Sequence, residues 1–315
     1  MSDGLTVIEA HGMASQRLRV AARPRIGEAA VRLALVACGA FVIATTVAML
    51  AFLARAGLRG IWQVGLLTLL TGETWKPEAG SFGGLALIVG TFASAAGAVV
   101  LGAAPAVLSA VWLTEFAPAA VRRAHRRVME IASAIPSVVY GWLALVYLVP
   151  LMGDVGRAIR GADAPVTGEG LAASAVLLAI MIAPTVLLLS LDALSRVPRA
   201  LREASAALGA SPWQTAFQVS FPYAWRGLLV AVFFGFARAA GETMAVQMVI
   251  GGARKLPADL FSPTTTISAQ IVMDMQEARP DTLQSDVLFS MALVLLVVSV
   301  VVVLITRILS RQQAR

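Results

Sequence analysis

The hydrophobic positions of this chain are concentrated in six long runs, which short charged segments separate. The fifth run contains two charged residues and the other five contain none. Each run is long enough for the roughly 20 residues that cross a bilayer as a helix. The runs are 33–53, 79–114, 131–153, 170–191, 227–253 and 287–306. The pattern predicts an all-α integral membrane protein with six transmembrane helices.

The second run, 79–114, is longer than one perpendicular crossing requires. Pro105 lies within this run, and a proline inside a helix removes one backbone hydrogen bond and bends the axis. We therefore expect Pro105 to mark a kink, or the point where the helix leaves the hydrocarbon core.

The basic residues predict the orientation. Six crossings put both termini on one side, and most of the 25 lysine and arginine residues fall on that side. Cytoplasmic segments of membrane proteins carry such an excess, so both termini are predicted to be cytoplasmic. The net charge of +7 follows from this topology, and we expect no nucleic-acid binding.

The composition of the chain and the motifs that it lacks limit its chemistry further. Apolar residues make up 58% of the chain, and the pattern indicates one membrane domain, 31–310, between tails at 1–30 and 311–315.

Cys38 is the only cysteine, so no disulfide can form within the chain. Neither histidine lies in a predicted span and no glycine-rich loop ends in Gly-Lys-Ser/Thr, so we expect no metal site, no bound cofactor and no ATP hydrolysis by this chain.

Two charges, Arg238 and Glu242, interrupt the fifth run near its centre. Each costs about 2.5–3.5 kcal/mol at the centre of a membrane helix. Residues four apart share a face of a helix, so an ion pair that joins two helices is one interpretation. An anion path is the other, and we favour it because a buried pair adds little net stability and a guanidinium offers two parallel donors to an oxyanion.

The segment between the fourth and fifth runs, 196–226, predicts an elbow made of two helices. Its first part favours a helix, and Gly209 is a natural end because glycine adopts the left-handed conformation that ends helices. Ser211 can cap a second short helix that has Pro212 at its first position. An elbow of this kind suits docking into a groove on another protein, but an amphipathic connector at the membrane surface has the same pattern.

The same segment resembles the EAA signature of ABC-transporter permeases. The residues that carry the resemblance are Glu203, Ala204, Ser205, Gly209, Val219, Phe221 and Pro222. Their spacing is that of the family pattern, and Ser205, Val219 and Phe221 depart from it conservatively. In the family this loop is the coupling helix, which seats in a cleft on a cytoplasmic ATPase. The resemblance therefore implies ATPase coupling through loop 196–226, by Glu203, Ala204, Gly209 and Pro222.

A second resemblance covers roughly residues 80–310. The stretch RAAGETMAVQMVIGG in the fifth run closely resembles phosphate-specific (Pst) ABC transporter permeases, and its Met-Ala-Val continuation is similar to their C-type (PstC) subunits. WLTEFAP at 112–118, IPSVVYG at 135–141 and LAIMIAPT at 178–185 agree with this family. Gly252 stands where asparagine is expected, and the tail before residue 30 is not part of the similarity.

The Pst resemblance identifies candidate translocation residues. It implies this role for Arg238 and Glu242, with Thr243 beside them in the Gly-Glu-Thr string. Ser137 could present a hydroxyl to the path, although a packing serine beside a proline kink has the same pattern. The mechanistic hypothesis is a charge exchange, in which Glu242 neutralises Arg238 until phosphate competes for the guanidinium.

The resemblance also implies the assembly. It predicts the type I (MetI-like) ABC importer permease fold and one half of a heterodimeric channel for inorganic phosphate in the bacterial inner membrane. The implied partners are an A-type permease subunit, a dimer of ATPase subunits that uses ATP, and an extracytoplasmic phosphate-binding protein.

Other transport functions remain open at this point. An ABC importer of sulfate, molybdate or phosphonate would need a similar anion path. An ion-coupled secondary transporter could use an Arg–Glu pair, but it has no use for an ATPase-docking elbow. An intramembrane protease is disfavoured, because the chain has no His-Glu-x-x-His segment and no histidine in a predicted span.

Overall fold

The computed structural model describes residues 26–161 and 165–311 of the chain. Most of the predicted 1–30 tail and of the 311–315 tail therefore lies outside the described residues. The chain divides into two compact units, Met1–Phe52 and Leu53–Arg315. In the first unit, the side chains of residues 30–52 are exposed along one apolar helix, as expected of a segment that lipid or another transmembrane segment covers.

Helices form most of the described chain. They are α1 (Ile26–Val64), α2 (Leu66–Thr71), α3 (Leu85–Glu115), α4 (Ala119–Ala134), α5 (Ser137–Arg160), α6 (Leu171–Ser195), α7 (Arg199–Ala207), α8 (Pro212–Ala240), α9 (Met244–Gln247), α10 (Ile267–Met275) and α11 (Leu283–Arg311). An antiparallel hairpin, β1 (Trp75–Lys76) and β2 (Ser81–Phe82), encloses the 3₁₀ turn Pro77–Ala79. Within the described ranges six helices, α1, α3, α5, α6, α8 and α11, are long and apolar enough to cross a membrane, which confirms the predicted number of spans.

Two predicted spans cross a break between helices in the structure. The third, predicted at 131–153, begins at Ser137, because Ile135 is extended before Pro136 and the residues up to 134 belong to the amphipathic α4. The fifth, predicted at 227–253, is α8, which begins at Pro212 and ends at Ala240. Hydropathy alone did not separate these segments, because apolar residues continue across both breaks.

Three membrane helices contain a wide π turn just before a proline. The turns are Val99–Ala103, Ala144–Leu148 and Thr215–Ser220, and the prolines are Pro105, Pro150 and Pro222. A proline leaves the carbonyl four residues earlier without its usual donor, and its ring clashes with that oxygen. In all three helices that carbonyl lies inside the π turn. In a π turn a backbone carbonyl accepts its hydrogen bond from the N–H of the fifth residue ahead, rather than the fourth. Within the long run 79–114, the helix α3 therefore begins at Leu85 and continues without a break through Pro105, and residues 79–84 belong to the β hairpin and the loop after it.

The central helix of the bundle is α6, and 67% of its apolar membrane-spanning stretch is buried. Its neighbours approach it through glycines. A methyl group at Gly97 of α3 would lie 2.8 Å from Cβ of Ala175, and one at Gly235 of α8 would lie 2.6 Å from Cγ2 of Val186. Small residues allow such close packing in membranes, so α3 and α8 are both held against α6.

Polar segments meet at the ends of α3 and α6. The guanidinium of Arg126 in α4 lies 3.2 Å from Oδ1 of Asp192 in α6, and that of Arg202 in α7 lies 3.0 Å from Oε1 of Glu115 in α3. The segments after the second and fourth spans are therefore on one face of the membrane domain, as six crossings predict. The cytoplasmic assignment of this face stays a prediction.

A buried carboxylate organises the opposite face. Asp274 is 1% exposed and accepts hydrogen bonds from Nε1 of Trp75 at 2.7 Å, NH2 of Arg254 at 2.6 Å and Nε2 of Gln270 at 2.8 Å. These bonds join the β hairpin, the segment after α9 and helix α10. The three segments form one polar layer over the end of the bundle.

We expect Asp274→Asn to destabilise this layer, because an amide removes the charge that pairs with Arg254 and replaces one acceptor with a donor. The free energy of unfolding in detergent should fall by about 1.5–3 kcal/mol, the range for hydrogen bonds to charged groups. Asp281→Asn is the matched control, since Asp281 is exposed with a φ of 58°, a conformation that asparagine also adopts. Equal losses in the two variants would contradict this role of Asp274.

Candidate functional site

Arg238 lies in the last turn of α8 and is half-buried. Its NH1 donates a hydrogen bond of 2.9 Å to Oγ1 of Thr185. Thr185 lies near the middle of α6, the central membrane helix. The guanidinium therefore reaches the mid-depth of the bundle, where an ionised group is costly, although Arg238 is at the end of its own helix.

Helix α8 ends before it reaches Glu242. Gly241 is the C-cap, and its N–H bonds to the carbonyl of Ala237 at 3.1 Å. The expectation that Arg238 and Glu242 share a face of one transmembrane helix is wrong, because glycine at 241 ends the helix between them. Among residues 26–161 and 165–311, no ion pair joins these two side chains.

Glu242 contacts the segment that follows it. Its Oε1 accepts a long hydrogen bond, 3.4 Å, from the N–H of Ala245 in α9, and its carbonyl accepts one of 2.8 Å from Oγ of Ser268 in α10. Thr243 donates its hydroxyl to the carbonyl of Gly241 at 3.3 Å. The side chains of Glu242 and Thr243 thus hold the break after α8, and the carboxylate does not neutralise Arg238 in this arrangement.

Ser137 is the first residue of α5 and is half-buried. Helix α5 packs directly on α9 through Gly141, where a methyl group would lie 2.8 Å from Cα of Ala245. The structure therefore brings the start of α5 beside the segment that contains Glu242 and Thr243. The Ser137 hydroxyl forms no hydrogen bond with another described residue.

This arrangement leaves Arg238 as a cation with free donors. A guanidinium has five N–H donors, and the bond to Thr185 uses one of them. Within the described chain, no carboxylate competes for the others. An unpaired guanidinium at this depth can bind an oxyanion through two parallel hydrogen bonds.

The predicted elbow is confirmed in residues 199–214, to which we give that name. Gly209 adopts a left-handed φ of 83° after α7. Ser211 and Gln214 form a reciprocal capping box, in which Oγ of Ser211 accepts from the N–H of Gln214 and Oε1 of Gln214 accepts from the N–H of Ser211. Pro212 is the first helical residue, but the second helix is not short, because it continues as α8 and contains Pro222.

The tip of the elbow presents large apolar side chains to solvent. Leu208 is 89% exposed and Trp213 is 63% exposed. Glu203 and Ala204 are exposed on α7 as well. Exposed apolar residues with a polar rim are typical of protein interaction sites.

The sequence reasoning missed the residue that fixes the elbow to the bundle. Arg202 contacts Glu115 and also donates to the carbonyl of Leu194 at 3.1 Å and to Oγ of Ser220 at 3.4 Å. One guanidinium therefore joins α7 to the ends of α3 and α6 and to α8. The signal was available, because Glu115 ends a long uncharged run in the quoted stretch WLTEFAP.

Two departures from the EAA pattern make contacts in this region. The hydroxyl oxygens of Ser205 and Thr215 share a hydrogen bond and are 2.9 Å apart. The ring of Phe221 stacks on Phe217 at 6.2 Å between centroids, and Phe217 in turn packs against Trp213 at 4.4 Å. The altered residues therefore stabilise the elbow.

Comparison with known proteins identifies the family. A family model described as "Binding-protein-dependent transport system inner membrane component" matches residues 106–315. The chain is 36% identical over 286 residues to the "Probable ABC transporter permease protein YqgH" of Bacillus subtilis, covering 90% of each. It is 35% identical over 263 residues to the "Phosphate transport system permease protein PstC" of Mesorhizobium japonicum, covering 79% of this chain and 80% of that one.

Solved structures agree on the fold. The MetNI methionine ABC transporter in an inward-facing conformation has a chain that matches with a TM-score of 0.52 and 24% identity, covering 74% of this chain and 94% of that chain. A bacterial alginate ABC transporter, in complex with an alginate pentasaccharide-bound periplasmic protein, has a chain that matches with a TM-score of 0.60 and 16% identity. The match covers 91% of this chain and 98% of that chain. The predicted type I importer fold is confirmed.

We expect Arg202→Gln to destabilise the membrane domain, because it leaves the buried Glu115 carboxylate unpaired. The free energy of unfolding in detergent should fall by up to about 3 kcal/mol, the lower end for broken buried pairs, since Arg202 keeps a quarter of its side chain exposed. Arg127→Gln, which removes an exposed charge from α4, is the control and should change it by less than about 0.5 kcal/mol.

A double variant tests the cause of this loss. Arg202→Gln with Glu115→Gln removes the unpaired carboxylate as well, and it should recover part of the lost free energy of unfolding. A double variant as unstable as Arg202→Gln alone would show that the unpaired carboxylate is not responsible.

Proposed function

Because this chain belongs to the family of binding-protein-dependent transport system inner membrane components, we propose that it is the phosphate-selective permease subunit of an ATP-driven importer. Membership makes the chain an ABC transporter permease and a multi-pass protein of the bacterial inner membrane. Phosphate as substrate, the partner subunits and the roles of individual residues are parts of the proposal.

The unpaired guanidinium of Arg238 is the observation that carries the proposal. Membrane proteins avoid an uncompensated charge at mid-depth unless it has a function. The hydrogen bond from Arg238 to Thr185 orients the guanidinium and leaves donors free for an oxyanion. Relatives whose names specify phosphate transport favour phosphate among the oxyanions.

The geometry changes the proposed mechanism from the charge exchange suggested by the sequence. Glu242 caps α9 through Ala245, and Arg238 has no carboxylate partner among the described residues. We therefore assign the anion-binding role to Arg238 alone, and a role in holding the break after α8 to Glu242 and Thr243. Ser137, at the start of the adjacent α5, would supply an additional hydroxyl to the path.

A second permease subunit would complete the path. Phe234 and Met244, which flank the Arg238 segment, are each 52% exposed, and apolar surface beside a charged path requires a cover. An A-type permease fits this role as the other half of a heterodimer. An extracytoplasmic phosphate-binding protein would deliver the anion to the face that Asp274 organises.

The elbow would dock the ATPase. Its exposed Leu208 and Trp213 project from a rigid turn that Gly209 and the capping box define, and a rigid apolar tip suits insertion into a groove. Glu203 and Ala204 would lie at the same interface. Pro222 lies inside α8, so its contribution would be to the shape of the helix above the elbow.

The first test is Arg238→Gln in ATP-dependent uptake of radiolabelled phosphate by vesicles that contain the whole complex. Uptake should fall about ten- to hundredfold, because the charge-assisted hydrogen bonds to the anion, worth about 1.5–3 kcal/mol, are lost. Glu242→Gln should retain uptake, since its amide oxygen can still accept from Ala245.

Controls separate this role from a structural one. Arg127→Gln should leave uptake unchanged, and each variant complex should co-purify with all its subunits. Normal uptake by an assembled Arg238→Gln complex would contradict the proposal. Inhibition of wild-type uptake by sulfate or molybdate as strong as that by unlabelled phosphate would assign another oxyanion.

The elbow is tested by Leu208→Asp. A carboxylate at the apolar tip should reduce co-purification of the ATPase subunits and their transport-linked ATP hydrolysis at least about tenfold, because its burial in a groove without a partner is costly. Leu260→Ala, a change at a 61% exposed leucine on the opposite face, should leave both unchanged. Full ATPase association of the Leu208→Asp complex would rule out docking through this tip.

A further inference from the structure

A cavity lined by basic residues lies beside the elbow, between the ends of α3 and α6 and the helices α4 and α7. Its volume is about 360 Å³, which is in the range of small-molecule sites. Five guanidinium groups line it and define what we call the arginine pocket: Arg122, Arg123, Arg126, Arg199 and Arg202. No carboxylate is among the residues that line the arginine pocket.

Only two of these arginines have ion-pair partners in the part of the chain that the structure describes. Arg126 pairs with Glu130 and Asp192, and the hydrogen bond to Glu130, followed by the charge of Asp192, raises the pKa of Arg126 above its ordinary value. Arg202 pairs with Glu115. Arg122, Arg123 and Arg199 form no ion pair with a described residue, so the pocket keeps an excess of positive charge.

The backbone adds to this positive potential. Helix α4 begins at Ala119 and α7 begins at Arg199, so both N-termini lie at the pocket. Neither helix has an acidic residue in its first turn or a side-chain cap. Cations near helix N-termini are unfavourable, and a bound anion would satisfy both the guanidinium groups and the free N–H groups.

An apolar groove continues from the arginine pocket along the same helices. Its volume is about 480 Å³, and it lies between α3 and α6, with His125 and Met129 of α4 at its edge. On α6 the groove includes Leu187 and the pocket includes Leu191, one turn further on. The two cavities are therefore consecutive, apolar inside the membrane and basic at its surface.

The groove has the dimensions and the exposure of a lipid-facing site. It extends along α3 from Leu101 to Ser109, roughly 12 Å at 1.5 Å per residue, against about 15 Å for one leaflet of hydrocarbon. Leu101 is 53% exposed and Ile180 of α6 is 52% exposed, so its walls are open on the side of the bilayer.

We propose that one anionic phospholipid occupies these cavities, with its phosphate in the arginine pocket and an acyl chain in the apolar groove. Guanidinium groups bind phosphate oxygens through parallel hydrogen bonds, and basic pockets beside transmembrane helices bind lipid headgroups. The shape decides between the sources of a phosphate group, because free phosphate has no use for the adjoining groove. The site is separate from Arg238 and does not depend on phosphate being the transported anion.

The test measures lipid retention by the purified whole complex, taken from nanodiscs of phosphatidylglycerol and phosphatidylcholine and analysed by native mass spectrometry. The variant Arg122→Gln with Arg123→Gln removes two pocket charges that form no ion pair with a described residue. Its matched control, Arg127→Gln with Arg196→Gln, removes two exposed charges outside the pocket. Phosphatidylglycerol retention should be about tenfold lower in the pocket variant than in the control.

Two further arms make the result specific. Ile180→Trp, at an exposed position of the groove, should lower phosphatidylglycerol retention severalfold while all five arginines remain. Equal melting temperatures would show that neither set of changes unfolds the complex.

Three results would overturn the proposal. The first is equal phosphatidylglycerol retention in the two double variants, and the second is unchanged retention in Ile180→Trp. The third is arginine-dependent binding of radiolabelled inorganic phosphate that added phosphatidylglycerol does not reduce, which would assign the pocket to free phosphate.

Discussion

Backbone groups inside a bilayer have no water to bond, so each span must satisfy its N–H and C=O groups within its own helix. This constraint explains how the bundle tolerates three of its prolines, because Pro105, Pro150 and Pro222 each follow a π turn that contains the carbonyl they leave free. Continuous helices can then pack closely on α6 through glycine. The rigid core that results can hold a charged side chain at mid-depth.

Arg238 is a charged side chain at mid-depth with no ion-pair partner among the described residues, and its position depends on this core. The helix that carries it is held against α6 at Gly235, one turn before Arg238, and its hydrogen-bond partner Thr185 belongs to α6 itself. Leu194 lies in the last turn of the same central helix, and its carbonyl accepts a hydrogen bond from Arg202 in the elbow. One buried helix therefore orients both the proposed anion receptor and the proposed ATPase contact.

The sequence predicted the features that depend on local signals. Six spans follow from hydropathy, and the elbow follows from Gly209, Ser211 and Pro212, whose conformational preferences act within a few residues. It did not predict the end of α8 at Ala240, because apolar residues continue past it, nor the division between α4 and α5. Partners distant in the chain, such as Thr185 for Arg238 and Glu115 for Arg202, depend on how whole helices pack.

Helix α8 has a mechanical consequence, because it is unbroken between the capping box at Ser211 and Arg238. The distance along its axis is roughly 40 Å at 1.5 Å per residue. Compression or torque applied at the elbow would travel through hydrogen-bonded backbone, which is stiffer than a chain of side-chain contacts. A rotation of α8 by a fraction of a turn would separate the guanidinium of Arg238 from Thr185. If an ATPase moves the elbow, this movement can therefore reorient the guanidinium directly, without a change in any segment between them.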